Sequence, residues 1–307
     1  MRTYRIESPI FEERISVELV ADEFTAVARA VNGIDTIVAI EEKLDILLEN
    51  LREYEEELLR FALYQSHHRD LSWTQFRLQR HVVNRRILNV LSAARMYLDQ
   101  VRTDVSTLYG ESSPQHQALE EERTSQYDRS FSYRLMEVLR NHVQHHSLPV
   151  AEVALRTKHE LPSDVGRPNA YGRIRHTVIP ELDTQRLLAN RRLKGSVVRE
   201  LALLRHRPPL TPMLREYVGA LGMVHERLRL VSDVDFEEWI PALLAMREKA
   251  SKHFSEGLVG VVLVDRDGPR VLQEVSLYDE MIGRRGALRS VNKHFASFAS
   301  RYAASEE

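Results

Sequence analysis

The chain has 307 residues, 43% hydrophobic and 29% charged, so it can bury the core of one large domain or of two. Its formal net charge of −2 excludes a general electrostatic attraction to nucleic acid, and any RNA-binding surface must be a local patch. The absence of cysteine excludes disulfides, cysteine-ligated zinc and thiol catalysis, and agrees with a reducing cytoplasm. Charged residues begin at the N-terminus and interrupt every long apolar stretch. We therefore expect a cytoplasmic protein without a secretory signal or a membrane span.

The N-terminal half is predicted to be mainly helical, because the chain has only 12 glycines and 11 prolines. Residues 14–20 alternate apolar and polar side chains, which is the pattern of a short strand. Gly33 is interpreted as a break, after which one helix runs over residues 35–65 with its first residue as N-cap. Further helices are predicted over residues 73–109 and about 114–146. We expect the three to form an antiparallel bundle, since each has one apolar face and the connections are short.

The C-terminal half begins after residues 161–175, which contain two prolines and two glycines and are the predicted linker or functional loop. Beyond it we predict a strand over 175–179, helices over 183–205, 211–231 and 235–254, a hairpin over 258–277 turning at 266–269, and a helix over 279–302. The expected fold class is mainly α, a long antiparallel helical bundle with a small antiparallel β-hairpin in a C-terminal helical region. The expected domains are a bundle over residues 1–160, the linker over 161–175, and a mainly helical region over 176–307.

The densest cluster of catalysis-capable side chains lies in residues 140–149, at the end of the third predicted helix. It contains Arg140, Asn141 and histidines at positions 142, 145 and 146. Pro149 disfavours helix at the residue before it, so the histidines belong to the last helical turn or lie just beyond it. The negative end of the helix dipole favours imidazolium there. A proton-handling group beside a fixed positive charge suits phosphodiester cleavage, and the same arrangement also suits an ordinary helix C-cap.

This segment resembles the active-site signature of the HEPN superfamily (higher eukaryotes and prokaryotes nucleotide-binding). In that signature an arginine, commonly followed by a polar residue, precedes a histidine with four to six residues between them. Arg140, Asn141 and His145 match it with four intervening residues, and His146 matches it with five. Four other arginines of the chain meet the bare spacing, but none of those four is followed by asparagine. The resemblance covers residues 34–150 and does not explain the rest of the chain.

The resemblance implies a metal-independent RNA endonuclease, since many HEPN proteins are ribonucleases of toxin, abortive-infection, CRISPR-associated and RNA-turnover systems. A role as a toxin or phage-defence effector would also imply an antitoxin or other regulatory partner. In the implied mechanism His145 is the general acid or base, Arg140 binds the scissile phosphate, and Asn141 orients the phosphate or the histidine. The product would be a 2′,3′-cyclic phosphate. No cofactor and no metal are expected.

A single helix does not bring these residues together. At about 100° per residue, Arg140 and His145 point about 140° apart. His142 and His146 instead stack at i, i+4, which suits a buried or capping pair beside a surface Arg140 paired with Glu137. The resemblance implies a homodimer in which two helix ends join in one composite site, so that residues pointing apart on one helix can still act together. The alternative function is a catalytically inactive helical dimer that acts as a binding or scaffold module.

Basic residues outside this cluster are weaker candidates for contacts with RNA. The richest basic stretch supplies the predicted RNA-binding residues Arg186, Arg191, Arg192, Lys194 and Arg199. A mixed charged helix face gives the same pattern. The second predicted helix contains Arg85, Arg86 and Arg95, which either support a phosphate site or are ordinary surface charges.

Overall fold

The computed structural model of the protein describes residues 2–8, 16–68, 72–145, 147–160, 173–189, 195–254 and 257–295. The chain is 70% helical, and the described residues form eight helices and two small antiparallel sheets, which confirms the predicted mainly α class. The helices are α1 (Ala21–His68), α2 (Trp73–Tyr109), α3 (Pro114–Arg129), α4 (Phe131–His145), α5 (Thr184–Leu188), α6 (Gly195–Ala202), α7 (Leu210–Ser251) and α8 (Glu280–Val291). The strands are β1 (Arg2–Glu7), β2 (Ser16–Leu19), β3 (Val150–Glu160), β4 (Arg173–Leu182), β5 (Val262–Asp267) and β6 (Arg270–Ser276).

The chain folds into two compact units, each assembled from segments that are distant in the sequence. Unit 1 comprises Met1–Leu44, Gln100–Glu120 and His225–Lys293, and unit 2 comprises Asp45–Asp99, Glu121–Val224 and His294–Glu307. The helices α1, α2, α3 and α7 therefore contribute residues to both units. The linker predicted over residues 161–175 lies, up to residue 172, outside the described residues, and the domain division predicted there stays a prediction.

The first two helices run antiparallel. In unit 1, Lys43 of α1 pairs with Asp104 of α2 at 2.7 Å. In unit 2, Glu53 of α1 pairs with Arg86 of α2. Residue numbers thus fall along α2 as they rise along α1, as expected for two long helices joined by a short connection.

Unit 1 contains a four-stranded antiparallel sheet with the strand order β2-β1-β5-β6. Its last two strands form the predicted hairpin, whose turn at Gly268 has a φ of 58°, a left-handed conformation that glycine adopts without strain. Asp265 of β5 is buried and accepts a hydrogen bond from Arg2 of β1 at 3.0 Å. This charge-assisted bond adds to the backbone ladder between the two strands. The strand predicted over residues 14–20 is confirmed as β2.

Helix α1 passes through Gly33 without a break, so the predicted helix start at residue 35 is wrong. The ring of Trp239, on α7 in the same unit, lies against the Gly33 backbone inside the space that a Cβ atom would occupy. The glycine therefore permits close packing of α1 against α7. This tertiary contact outweighs the low helix propensity of glycine.

Helix α7 is continuous where the sequence predicted two helices, over 211–231 and 235–254. Between the two predicted helices lies Asp233, which accepts a hydrogen bond from Arg289 at 2.7 Å. Pro241 also lies within the helix. Because the polar side chain has a tertiary partner, it does not compete with the helical backbone for hydrogen bonds.

In unit 2, the helix predicted over about 114–146 is divided at Ser130 into α3 and α4. The Ser130 hydroxyl oxygen accepts a hydrogen bond from the backbone N–H of Tyr133 at 3.1 Å. The same hydroxyl donates to Glu216 of α7 at 3.0 Å. A serine that satisfies an orphan donor of the first turn starts a new helix without any glycine or proline, and this explains why the sequence pattern missed the division.

Unit 2 also contains a two-stranded antiparallel sheet of β3 and β4, of which only residues 175–179 were predicted. The strand β4 continues through Pro180, where the sequence predicted an end. Asn84 of α2 anchors the start of β3, because its side chain accepts a hydrogen bond from the Val150 backbone N–H at 3.0 Å and donates to the Val150 carbonyl at 3.4 Å. This contact fixes the strand that follows α4 onto the surface of α2.

The remaining helices are shorter than predicted. Residues 183–205 contain α5 and α6, and residues 190–194 between them lie outside the described residues. Asp183 caps α5 by accepting a hydrogen bond from the backbone N–H of Arg186 at 2.9 Å. The last predicted helix, over 279–302, is α8, and residues 296–302 lie outside the described residues.

Candidate functional site

Helix α4 has one buried face, and this face decides which motif residues can meet a ligand. Its buried side chains are Ser132, Tyr133, Leu135, Met136, Leu139 and His142, which share one side of the helix. Arg140 follows the buried Met136 by four residues, so it lies at the edge of this face and is partly buried, whereas Asn141 lies outside it and is exposed. The two residues are therefore accessible to solvent while the helix beneath them is anchored in the core of unit 2.

Arg140 and Asn141 interact with each other. The Arg140 Nη1 donates to the Asn141 Oδ1 at 3.0 Å. Among the described residues, no carboxylate lies within ion-pair distance of Arg140, and its anticipated partner Glu137 contacts other groups. The amide orients the guanidinium without neutralising it, which leaves a full positive charge and further N–H donors for an anion.

The structure shows the three histidines of residues 140–149 to different extents. His142 is 4% exposed, and its Nε2 lies 2.8 Å from the Ser147 hydroxyl, so it is part of the core. His145 is the last residue of α4, and its side chain, like the whole of His146, lies outside the described residues. The choice between His145 and His146 as the reacting histidine therefore stays a prediction.

A cleft of about 270 Å³ opens beside α4 in unit 2, lined by Arg95, Asp99, Arg123, Tyr127, Tyr133 and Glu137. Glu137 precedes Arg140 and Asn141 by about one helical turn, so the three side chains lie on one face of α4. Arg140 and Asn141 do not themselves line the cleft, but they follow Glu137, its last lining residue on α4, by about one turn.

The cleft itself is not a phosphate site, because its charges are already paired. Arg95 lies 2.6 Å from Asp99 and 3.6 Å from Glu137. Tyr217 donates a hydrogen bond to Glu137 at 2.7 Å, and burial raises the pKa of Tyr217 well above its ordinary value. The tyrosine therefore remains a hydrogen-bond donor, and the positive charge accessible on α4 is that of Arg140.

Of the predicted RNA-binding residues, Arg186 on α5 and Arg199 on α6 are exposed. The other three, Arg191, Arg192 and Lys194, lie outside the described residues. Two of the arginines noted on α2 are ion-paired, Arg86 with Glu53 and Arg95 with Asp99, which makes them structural. Arg85 is exposed.

A buried assembly of charged and polar side chains that was not predicted lies in unit 1. We call it the Glu41 cluster, consisting of Glu41, His225, Arg229 and Arg285. Arg229 binds Glu41 through two hydrogen bonds of 2.9 and 2.5 Å, and the His225 Nε2 lies 3.0 Å from the same carboxylate. Glu41 and His225 are 184 positions apart in the chain, so no local sequence pattern identifies them. Their proximity is visible only in the folded protein.

The ionisation of this cluster follows from its burial. Burial alone raises the pKa of Glu41, but the hydrogen bonds from His225 and Arg229 lower it to about 2. Burial lowers the pKa of His225 below 6.5, so the ring is neutral at pH 7. Glu41 and His225 are 2% and 1% exposed. A cluster sealed from water cannot meet a substrate, and we assign it to the stability of unit 1.

Three further observations bear on function. Within the described part of the chain, no three histidine, aspartate or glutamate side chains are grouped so that they could hold a metal ion. None of the helices described combines the length and the apolar composition that crossing a membrane requires. Comparison with protein-family models, with curated proteins and with solved structures gives no match for this chain.

Proposed function

We propose that the protein is a metal-independent RNA endonuclease of HEPN type. The observation that supports this proposal is the pair formed by Arg140 and Asn141 at the accessible end of α4, where no carboxylate among the described residues neutralises the guanidinium. The buried side chains of α4 anchor the helix in the core of unit 2, so the pair of Arg140 and Asn141 is held in place before any ligand binds.

The proposed chemistry divides between charge and proton transfer. Arg140 keeps its proton, and its planar fork binds the scissile phosphate and the negative charge that develops on it. His145, or His146 with one more intervening residue, accepts the proton of the ribose 2′-hydroxyl or protonates the leaving 5′-oxygen. Asn141 holds the guanidinium in orientation through their hydrogen bond. The product is a 2′,3′-cyclic phosphate, and DNA is inert because it lacks the attacking hydroxyl.

The proposed site is composite and forms in a homodimer. Arg140 and a histidine five residues later point about 140° apart on one helix, so a two-fold axis near the ends of both α4 helices would place the arginine of one protomer near the histidine of its partner. Light scattering should accordingly give a dimer at micromolar concentration. In the cell, we propose a toxin or phage-defence effector that an antitoxin or other regulatory partner restrains.

The decisive experiment is cleavage of single-stranded RNA in EDTA by the wild type and by Arg140→Ala and His145→Ala variants. Each substitution should lower the rate on the order of a hundredfold or more without changing the melting temperature, because it removes a group that acts in the transition state. End-group analysis should find 2′,3′-cyclic phosphate. The control is Arg199→Ala, an exposed arginine with six residues between it and His206 and no following asparagine. Because Arg199 is itself a predicted RNA-binding residue, this variant should keep kcat unchanged and confine any loss to KM.

Three results would change this conclusion. Wild-type inactivity on a broad RNA panel, or cleavage that is indifferent to Arg140, would exclude the nuclease. Loss of cleavage in His146→Ala but not in His145→Ala would keep the nuclease and move the reacting histidine by one position.

The second candidate is a catalytically inactive helical dimer that serves as a binding or scaffold module. The observation that favours it is His142, which lies in the core bound to Ser147, as expected for a histidine that serves the helix end and not a reaction. A dimer that buries the ends of α4 but never cuts RNA would select this alternative.

A further inference from the structure

The N-terminal part of α2 has an unusual charge composition. Between Trp73 and Leu98 the sequence contains five arginines and no aspartate or glutamate. A solvated helix face normally mixes both signs, because opposite charges at i, i+4 stabilise the helix. Here the compensating charges must come from other elements or from a ligand.

The structure divides the five arginines into two sets. Arg86 and Arg95 meet carboxylates of unit 2, as described above. Arg77, Arg80 and Arg85 are exposed, and none of these three is paired with a carboxylate among the residues described. All three unneutralised arginines therefore face solvent, and at about 100° per residue they span about 140° around α2, with Arg77 between Arg80 and Arg85.

An aromatic side chain, Trp73, lies at the start of the same helix, next to these arginines. Trp73, Arg77, His81 and Arg85 are spaced four residues apart, and all four are exposed. Trp73 is 69% exposed, and the Arg77 guanidinium lies 4.6 Å from the centre of its ring. We call Trp73, Arg77, Arg80, His81 and Arg85 the α2 basic face. It combines a row of cations with a planar platform on which a base can stack.

This face adjoins the segment that follows the motif. The Arg80 Nη1 donates to the Ala151 carbonyl at 3.1 Å, and Asn84 binds the backbone of Val150, as described above. Val150 follows His145 by five residues, so an extended chain places the end of α4 within roughly 17 Å of this anchor. The neighbouring carboxylate, Glu152, is paired with Arg207 and does not neutralise the face.

We propose that the α2 basic face binds the backbone of single-stranded RNA, with Trp73 stacking on a base, and directs the strand toward Arg140. This assignment rests on the proposed function and names the surface that recognises its substrate. A single strand suits the face better than a duplex, since stacking on Trp73 requires a base that is not already stacked within a helix.

Binding can be measured without cleavage. Fluorescence anisotropy with a labelled single-stranded RNA of mixed sequence is performed in an Arg140→Ala background, over a range of salt concentrations. Arg77→Glu and Arg85→Glu should each weaken binding by about fivefold or more and reduce the slope of log Kd against log salt by about 0.7 per lost phosphate contact. Trp73→Ala should weaken binding by about tenfold with little change in that slope.

Two controls separate recognition from general effects of charge and surface. Arg227→Glu removes an exposed arginine of α7 that has no carboxylate partner among the described residues, with the same change in net charge. Leu78→Ala truncates an exposed apolar residue of α2 next to Arg77. Both should stay within about twofold of the parent protein, since neither adds to the local field of the face. Thermal melts confirm that each variant is folded.

The proposal is overturned if Arg227→Glu weakens binding as much as Arg77→Glu, if the salt slope does not change, or if duplex RNA binds as tightly as the single strand. The two proposals fail separately. Binding that depends on this face, in a protein whose wild type never cuts RNA, rejects the nuclease alone. Cleavage whose kcat/KM is indifferent to Arg77 and Arg85 rejects the binding face alone.

Discussion

The end of α4 and the Glu41 cluster contain the same kinds of side chain but serve different purposes. Each brings an arginine into a hydrogen bond with an oxygen, Arg140 with the amide of Asn141 and Arg229 with the carboxylate of Glu41. The first pair keeps its net positive charge at the surface, whereas the second is compensated and 2–6% exposed. Arginine and histidine in proximity therefore do not define a reactive site. What matters is the charge of the residue that is hydrogen-bonded to the arginine, and whether water reaches the pair. These two properties decide whether the arginine can bind a substrate or only stabilises the fold.

The strongest way to break this comparison is to remove the carboxylate of the buried pair. Glu41→Gln keeps the shape of the side chain but removes the buried counter-charge of Arg229, whose other carboxylate neighbour, Glu226, lies 3.8 Å away and is half exposed. We expect the free energy of unfolding to fall by roughly 3–5 kcal/mol, measured by urea denaturation.

The adjacent residue provides the matched control. Glu42 also pairs with an arginine, Arg284, at 3.0 Å, but both side chains are more than two-fifths exposed. Glu42→Gln should therefore change the stability by no more than about 1 kcal/mol. Equal effects of the two substitutions would show that burial does not determine the role of the Glu41 cluster.

Acidification tests the same cluster without mutation. The pKa of Glu41 in the folded protein, about 2, lies below its ordinary 4.5, so the unfolded chain takes up this proton first. The stabilisation is complete above pH 4.5 and is lost as the pH falls toward 2, on the order of 3 kcal/mol. The pKa of His225 is also lowered, by burial, so its contribution starts to fall below pH 6.5. Denaturation at a series of pH values should show both losses.

The Glu41→Gln variant serves as the reference for this titration, because it lacks the carboxyl group. Its stability should fall less than that of the wild type between pH 4.5 and pH 2. Parallel curves over that interval would mean that other carboxylates account for the acid sensitivity.

The smallest expected effect concerns His142, the buried histidine at the end of α4. His142→Phe keeps an aromatic ring in the core of unit 2 and removes the hydrogen bond to Ser147. We expect a loss of about 1 kcal/mol in unfolding free energy and no loss of RNA cleavage beyond that caused by reduced stability. A large fall in cleavage at constant stability would place His142 in the reaction and contradict its structural role.

Much of the fold could be predicted from local patterns. The helix over residues 73–109 and the hairpin turning at Gly268 follow from apolar periodicity and from turn residues, which are local properties of the chain. The errors at Gly33 and Asp233 arise from contacts between distant segments. In both cases a residue that normally ends a helix is compensated by a side chain that sequence neighbours do not reveal.

The candidate site was predicted in part. The position of Arg140 and Asn141 at an accessible helix end follows from the amphipathic pattern of residues 131–142 and the proline at 149. The hydrogen bond between them and the absence of a described carboxylate partner required the structure. The α2 basic face was only partly anticipated. Its arginines point into solvent whereas Arg86 and Arg95 point toward carboxylates, and this difference in direction cannot be read from the composition of the helix.

The contact between Gly33 and Trp239 makes substitutions at these two positions epistatic. On helix propensity alone, alanine at position 33 would gain about 1 kcal/mol, yet the tryptophan ring occupies the site of the added methyl group. Either change alone is unfavourable, because a larger residue at 33 clashes with the ring and a smaller residue at 239 leaves a cavity beside the glycine. The two positions are therefore coupled in sequence drift, and in descendants of this chain a side chain at 33 should be accompanied by a smaller residue at 239.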